Sequence, residues 1–406
     1  MRIVKVWDSD YPWDIRVEKV IKTLSKNGHS VSLICRNLKC LPTFEVMDTI
    51  RIFRLPWTRN KMLNHFISFP YFFNFLWLKS IYSVSKNERA EAILVRDLPL
   101  ALTAMTIGRL LKIPVILDMA ENYPAMLRGR KYHGKFQLHQ MLLRNAQFAE
   151  LVECWTLKYV NKIIVVAEEN KRRLVAKGVS PDDIYLVSNT PDLDLIQSLD
   201  KNLPYGEGEY YLDRFTLIYV GLLGSIRGLE MVIRAMPEII RKIPEIHLLV
   251  IGKGMTKNIL VRLVAEKGLG EYVTFKDWVN FLEIPQYLKV VKAGLIPHLS
   301  TEHTNTTIPN KIFDYMAHGL PVIASDVAPI KRIIEEEKCG VTFEANNLND
   351  FVNAVVRVYH DRGNSLGENG KRAVSKKYNW KEDSAILLKV FNDLQRTGLG
   401  KTFSKS

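Results

Sequence analysis

Three clusters in this 406-residue chain hold side chains able to do chemistry together. The first is Gly221-Leu-Leu-Gly224-Ser-Ile-Arg227-Gly228, between an apolar run and a helical pattern. Gly221 and Gly224 let backbone N–H groups approach a ligand closely, and the helix start that follows favours an anion. Arg227 adds a permanent cation whose fork fits phosphate oxygens. The spacing is neither a Walker A loop nor GxGxxG, so a plain tight strand-to-helix turn is the competing reading. The second cluster, Thr304 to Asp326, reads TNTTIPNKIFDYMAHGLPVIASD. Thr306, Thr307 and Asn310 belong to a hydroxyl- and amide-rich loop, and a short helix opens after Pro309. Lys311 and the helix N-terminal amides make a second anion site. Asp314 falls three residues later, so both side chains can face one ligand. A carboxylate there can accept both hydroxyls of a ribose, while an exposed i,i+3 pair is the ordinary alternative. The third cluster is Asp118-Met-Ala-Glu121-Asn122-Tyr-Pro124, with Asp8, Tyr11 and Arg16 of DSDYPWDIR on the same sheet edge. Acid/base and substrate-binding groups belong at strand ends. Helix capping by Asp118 or Asn122 competes with that reading.

The elements that must carry these residues alternate. Residues 2–7 read as a buried strand. Ile15, Val17, Val20, Ile21 and Leu24 recur at helical spacing up to Asn27-Gly28, and Ser30–Cys35 is the next strand. This βαβ unit recurs as Ala92–Val95, a helix over Pro99–Leu111 and Val115–Leu117. It recurs again as Lys162–Val166, a helix ending at Gly178 and Ile184–Val187. Residues 192–213, with Leu203-Pro204-Tyr205-Gly206, read as a linker. A second series follows: Phe215–Val220, a helix over Leu229–Arg241, His247–Ile251, a helix to Lys267, Val273–Phe275, a helix to Val291, Ala293–Pro297, a helix near Ile312–His318 and Pro321–Ala324. The expected class is α/β, two Rossmann-like doubly wound domains facing a central cleft, with ligands outside the carboxyl ends of the strands. The expected domains are 1–195 and 205–377, with a C-terminal helix over 378–406 returning to the first. Thr397–Ser406 is expected to fray.

Composition narrows the classes. With 47% hydrophobic and 25% charged residues the chain can bury large cores, which excludes disordered, collagen-like and disulfide-scaffold readings. Cys35, Cys40, Cys154 and Cys339 form no CxxC pair, which argues against a cysteine zinc site and fits a reducing compartment. Charges within the first eight residues do not fit a secretory signal, so a cytoplasmic location is expected, with the inner face of the membrane as its extension. The net charge of +14 is uneven. Residues 1–150 hold 23 Lys/Arg against 12 Asp/Glu, residues 151–350 hold 23 against 26, and residues 351–406 hold 11 against 5. Such a basic part suits an anionic membrane, a phosphorylated substrate or a nucleic acid. No basic-aromatic repeat or helix-turn-helix signal is present, so nucleic acid is set aside. Met62–Val84 is the most aromatic stretch, but Asn64, His65, Pro70, Asn74 and Lys79 interrupt it. A helix partly packed on the core, with an aromatic edge able to touch a membrane surface, fits better than a span.

These residues identify a resemblance. The chain resembles the retaining nucleotide-sugar glycosyltransferases of family 4, group 1, with the two-domain GT-B fold. Pro309–Pro321 (PNKIFDYMAHGLP), Gly221–Gly228 and Val187-Ser-Asn189-Thr-Pro191 carry it most strongly. Asp8–Arg16 and Ala120–Pro124 are similar to the subgroup whose first loop reads like YPxDxR. The likeness runs over nearly the whole length and is specific to the family, not to a sugar. It implies transfer of a sugar from a nucleoside diphosphate, UDP or GDP, to an acceptor hydroxyl, without a metal or further cofactor, by front-face attack. It places Asp314 at the ribose, and Trp278 and Val279 at the base. Thr306 stands where the family's EX7E motif has its first Glu, with Glu302 four residues further back. Leu222 stands at the clamp's Arg and Arg227 at its Lys, which makes Lys311 the candidate for the missing cation. Glu121 inherits a sugar or acceptor contact, beside Asp8, Tyr11, Arg16, Asp118 and Asn122 on the acceptor side. The implied acceptor is a glycan or a lipid-linked sugar in cell-surface polysaccharide or glycolipid assembly. A GT-B-type nucleotide-sugar epimerase and a non-catalytic nucleotide-binding protein are the alternatives from other classes.

Overall fold

The computed structural model describes residues 1–12, 14–69, 72–129, 145–199, 207–361 and 364–396. The chain divides into two compact units, Met1–Ser188 with Asp383–Ser406, and Asn189–Glu382.

The first unit is built on eight strands: β1 (Arg2–Asp10), β2 (Ser30–Arg36), β3 (Phe44–Met47), β4 (Ile50–Arg54), β5 (Ala92–Arg96), β6 (Val115–Met119), β7 (Lys162–Val165) and β8 (Ile184–Leu186). Their order is β3-β4-β2-β1-β5-β6-β7-β8, parallel except for the β3–β4 hairpin. Parallel strands covered on both faces must be apolar throughout; Ile93, Leu94 and Val95 of β5 are wholly buried. The helix Ile15–Lys26 buries Val17, Val20, Ile21 and Leu24, and Asp14 caps it by accepting from Val17 N at 2.8 Å. The later part of the helix Trp380–Arg396 belongs to this unit, where Tyr185 Oη donates to Asp393 at 2.7 Å.

The second unit has six parallel strands: β9 (Phe215–Val220), β10 (Ile246–Ile251), β11 (Val273–Lys276), β12 (Ala293–Ile296), β13 (Val322–Ser325) and β14 (Gly340–Phe343). Their order is β11-β10-β9-β12-β13-β14. The helix Leu229–Lys242 closes one face, burying Leu229, Val232, Ile233, Met236 and Ile239.

Several expectations need correction. β1 runs on to Asp10, so Asp8 is a strand residue, within a register irregularity against β2 between Val6 and Asp10. The helix expected from Pro99 begins at Ala101, after a tight turn over Leu98–Leu100. Met62–Val84 is two helices, Lys61–Ile67 and Phe75–Asn87, because Asn74 caps the second. Residues 192–213 hold two short helices, Leu193–Ser198 and Glu207–Leu212. Leu203–Gly206 and Thr397–Ser406 lie outside the described residues. Among the described residues no helix is long and apolar enough to cross a membrane.

Candidate active site

In the second unit, β9 and β12 stop pairing at Ile218 and Gly294. Tyr315 fills the opening. Its ring lies where a Cβ on Gly294 would sit, and its hydroxyl accepts from Val220 N at 3.2 Å and meets Ile218 O at 3.3 Å. That anchor fixes the helix Lys311–Ala317. Lys311 lies one turn earlier on the same face, and its Nζ stands 3.9 Å from the centroid of the Tyr219 ring. Gly221 has φ +141°, and a Cβ there would press to 3.0 Å from Lys311 Nζ. The glycine therefore provides both the backbone geometry and the room for the ammonium.

Arg227 ends a tight turn, Ser225–Arg227. Gly228 follows with φ +70°, and a Cβ there would fall 1.7 Å from Pro297 O. Only glycine lets this turn pack against the end of β12. Ile226 O accepts from Leu299 N at 2.9 Å, and Arg227 Nη1 reaches His298 Nε2 at 3.2 Å. His298 is 2% exposed. Burial, reinforced by Lys311 and Arg227, holds its imidazole well below the ordinary range. The ring is thus neutral and its Nε2 accepts from the guanidinium. Burial and then Arg227 likewise push the half-buried Lys311 ammonium down, partly opposed by Asp314. Among the described residues, neither Arg227 nor Lys311 forms an ion pair. Two cations held near each other without a paired carboxylate leave a positive potential that a polyanion would relieve.

The other expected donor-side residues lie on the Lys311 helix, in the loop before it, in the glycine turn and after β11. Asp314 shares the helix with Lys311, is half-buried, and its carbonyl accepts from His318 Nδ1 at 2.8 Å. Thr306 and Thr307 direct their hydroxyls at backbone carbonyls of Glu302 and His303, at 2.9 to 3.2 Å. Asn305 Oδ1 secures the same loop by accepting from Ala328 N at 2.9 Å. Asn310 precedes the helix without a side-chain capping bond. Gly224 has extended backbone and open space where a side chain would stand. Trp278 is 56% exposed after β11, with Lys253 Nζ 5.0 Å from its ring, and Val279 is half-buried. Lys253 O accepts from Leu223 N at 2.9 Å, which ties the β10 loop to the glycine turn. Trp278 follows β11, which lies two strands from β9 in the sheet.

In the first unit the expected acceptor-side residues separate by burial. Asp118 is 1% exposed, and its Oδ1 is bonded by Arg16 Nη2 at 2.7 Å, with Lys5 Nζ 3.6 Å from Oδ2. Burial alone would raise the Asp118 carboxyl, but Arg16 and Lys5 hold it well below the carboxylate range. Arg16 also donates to Val187 O and Ser188 O at 3.0 and 3.2 Å. Asn122 is wholly buried and caps the helix Tyr123–Arg128 by accepting from Ala125 N at 3.3 Å. Tyr11 is 3% exposed. These four shape the sheet edge from inside and do not line its surface. Asp8 and Glu121 keep part of their surface. Burial pushes Asp8 up to about 6, against Arg96 and Arg36.

The sequence reading passed over His298, Tyr219, Tyr315 and Asp97. Asp97 adopts φ +57°, ψ 171°, and its Oδ1 accepts from Ala120 N at 2.9 Å and Glu121 N at 3.3 Å. It therefore holds the loop that carries Glu121. A polar residue directly after an apolar strand, as in GLIPHLS and ILVRD, was the available signal for His298 and Asp97. Among the described residues no group of three His, Cys, Asp or Glu is placed to hold a metal ion.

Comparison with known proteins fits this architecture. The family model "Glycosyl transferases group 1" matches residues 214–361, and "Glycosyltransferase Family 4" matches residues 15–195. An uncharacterized glycosyltransferase of Methanocaldococcus jannaschii is 22% identical over 384 residues, 93% of each chain. A sucrose-phosphate synthase from Thermosynechococcus elongatus superposes with TM-score 0.77 at 18% identity, over 98% of this chain and 100% of that one. The Anabaena protein HepE, solved in complex with UDP, superposes with TM-score 0.70 at 13% identity over the same shares. The chain belongs to the group 1, family 4-like glycosyltransferases of GT-B fold, and it is a glycosyltransferase enzyme.

Proposed function

We propose that this enzyme moves a sugar from a nucleoside-diphosphate donor to an acceptor hydroxyl with retention of anomeric configuration. The acceptor is a glycan or a lipid-linked sugar in polysaccharide or glycolipid assembly. The observation that carries the reading is the Arg227–His298–Lys311 cluster at the ends of β9 and β12, two cations that form no ion pair among the described residues. As the donor C1–O bond lengthens, negative charge grows on the leaving diphosphate. Arg227 and Lys311 meet that charge. Such preorganised donors are worth roughly 3–4 kcal/mol apiece in other enzymes. Asp314 binds the ribose hydroxyls, and Trp278 with Val279 takes the base. The acceptor hydroxyl attacks on the face the diphosphate leaves and passes its proton to that oxygen, so the chain supplies no nucleophile. Asp8 and Glu121 orient the acceptor. The UDP in HepE supports a uridine donor by analogy of fold.

The test is a thermal-shift panel of UDP-, GDP-, ADP- and dTDP-sugars, followed by NMR of the product's anomeric proton. A ligand at 100 times its Kd stabilises the folded state by about 2.7 kcal/mol, so one base should stand out. No shift with any nucleotide, isomerised sugar without acceptor, or an inverted product would each defeat the proposal.

A further inference from the structure

The stretch singled out for its aromatics emerges as a surface that the donor site leaves unexplained. Met62 is 84% exposed, Phe75 80%, Phe66 66%, Phe73 49%, Leu63 48% and Trp57 39%. A soluble surface rarely gathers so many large apolar side chains within 19 residues. They stand together because Asn74 fastens the two helices. Its Nδ2 donates to Ile67 O at 3.0 Å and Phe69 O at 3.1 Å, while its Oδ1 caps Leu76 N at 2.8 Å. Phe73 and Phe75, 5.9 Å apart in an edge contact, thus emerge beside the end of the helix that carries Met62 and Phe66. The opposite faces are used internally: Trp77, Ile81 and Val84 pack into the core, and Asn64 is buried.

Charge indicates what covers the patch. Residues 49–87 contain no Asp or Glu. Arg51 and Arg54 pair with Glu88 and Glu45, but Arg59, Lys61, Lys79 and Lys86 are exposed and form no ion pair among the described residues. Phenyl rings ringed by unpaired cations match a layer that is anionic outside and hydrocarbon beneath. A second copy docked by two-fold symmetry would set the same cations against each other. We propose that the crest formed by Met62, Leu63, Phe66, Phe73 and Phe75 rests in the interface of an anionic lipid bilayer, with Arg59, Lys61 and Lys79 at its headgroups. Apolar insertion and a basic rim together give the two signals that stable peripheral attachment requires. This inference stands apart from the donor-site reading.

The test is co-sedimentation of the full chain with vesicles of phosphatidylcholine alone and of phosphatidylcholine with phosphatidylglycerol. Binding should require phosphatidylglycerol and weaken with salt. The doubly substituted Phe66→Ser, Phe75→Ser chain should lose at least about tenfold in partitioning while keeping the parent's circular dichroism and nucleotide-induced thermal shift. Phe66→Trp should be quenched by lipids brominated near the headgroup end of their chains. Absence of binding to either vesicle by folded protein overturns the proposal. So does binding that ignores the two phenylalanines, or a concentration-dependent dimer that they control without lipid.

Discussion

At the residue scale the site is held under electrostatic stress. Lys311 is pressed by burial and by Arg227, Asp314 opposes this only in part, and among the described residues it forms no ion pair. Replacing it should therefore have opposite effects on stability and on binding. Lys311→Met should raise the melting temperature of the ligand-free chain and shrink the increment that a nucleotide diphosphate adds. A loss in both would mean the ammonium has a structural role. Arg227→Ala should lower turnover by roughly 10²–10³, read in steady-state kinetics with saturating acceptor. His298 touches Arg227 and acts by positioning it. His298→Ala removes the acceptor for the guanidinium, whereas His298→Gln can supply one through its amide oxygen. The alanine variant should drop kcat about tenfold with a smaller change in KM, and the glutamine variant should recover most of it. Equal kinetics in the two variants would separate His298 from the orientation of Arg227.

At the element scale the turn after β9 joins fold to function. Gly228→Ala would place a Cβ 1.7 Å from Pro297 O at a positive φ, so stability should fall by about 2–4 kcal/mol in urea unfolding. Gly224→Ala meets open space on ordinary extended backbone and should unfold at the parent's midpoint. If the two variants behaved alike, the packing of the turn on β12 would be wrong. The sequence made most elements legible because apolar runs such as AILV and HLLVI have one stable use, as buried parallel strands. It hid β3 and β4, whose half-exposed pattern is weak, and it merged the helices at 61–67 and 75–87, because a cap such as Asn74 identifies itself only once the chain turns there. The cations of the site were readable from type and spacing. His298 offered only the general signal of a polar residue after an apolar strand, and Tyr315 offered none, since its role depends on β9 and β12 parting after Ile218, a property of the sheet and not of any local pattern.

At the scale of the whole molecule, buried charge makes stability depend on pH in a way that one substitution can isolate. Arg96 sits among carboxylates in the first unit, bonded to Asp14 at 3.0 Å, with Asp97 at 3.6 Å. Asp97 is pushed from the usual 3.8 up to about 7, by burial first, against Arg96 and with help from Glu121, Asp8 and Asp118. Between pH 4 and pH 7 the folded chain keeps a proton at Asp97 that the unfolded chain has released, so stability drains as pH rises through that window and levels off above it. Asp8, raised to about 6, adds to the same slope over the lower part of the range. The Asp97→Asn chain cannot ionise there, yet its amide oxygen can still accept from Ala120 N and Glu121 N. Its melting temperature relative to the parent's should therefore climb steadily from pH 4 to pH 7 and then hold constant to pH 8. A difference that stays flat across the series would show that the folded chain carries Asp97 as a carboxylate throughout, matched by Arg96 as a full ion pair.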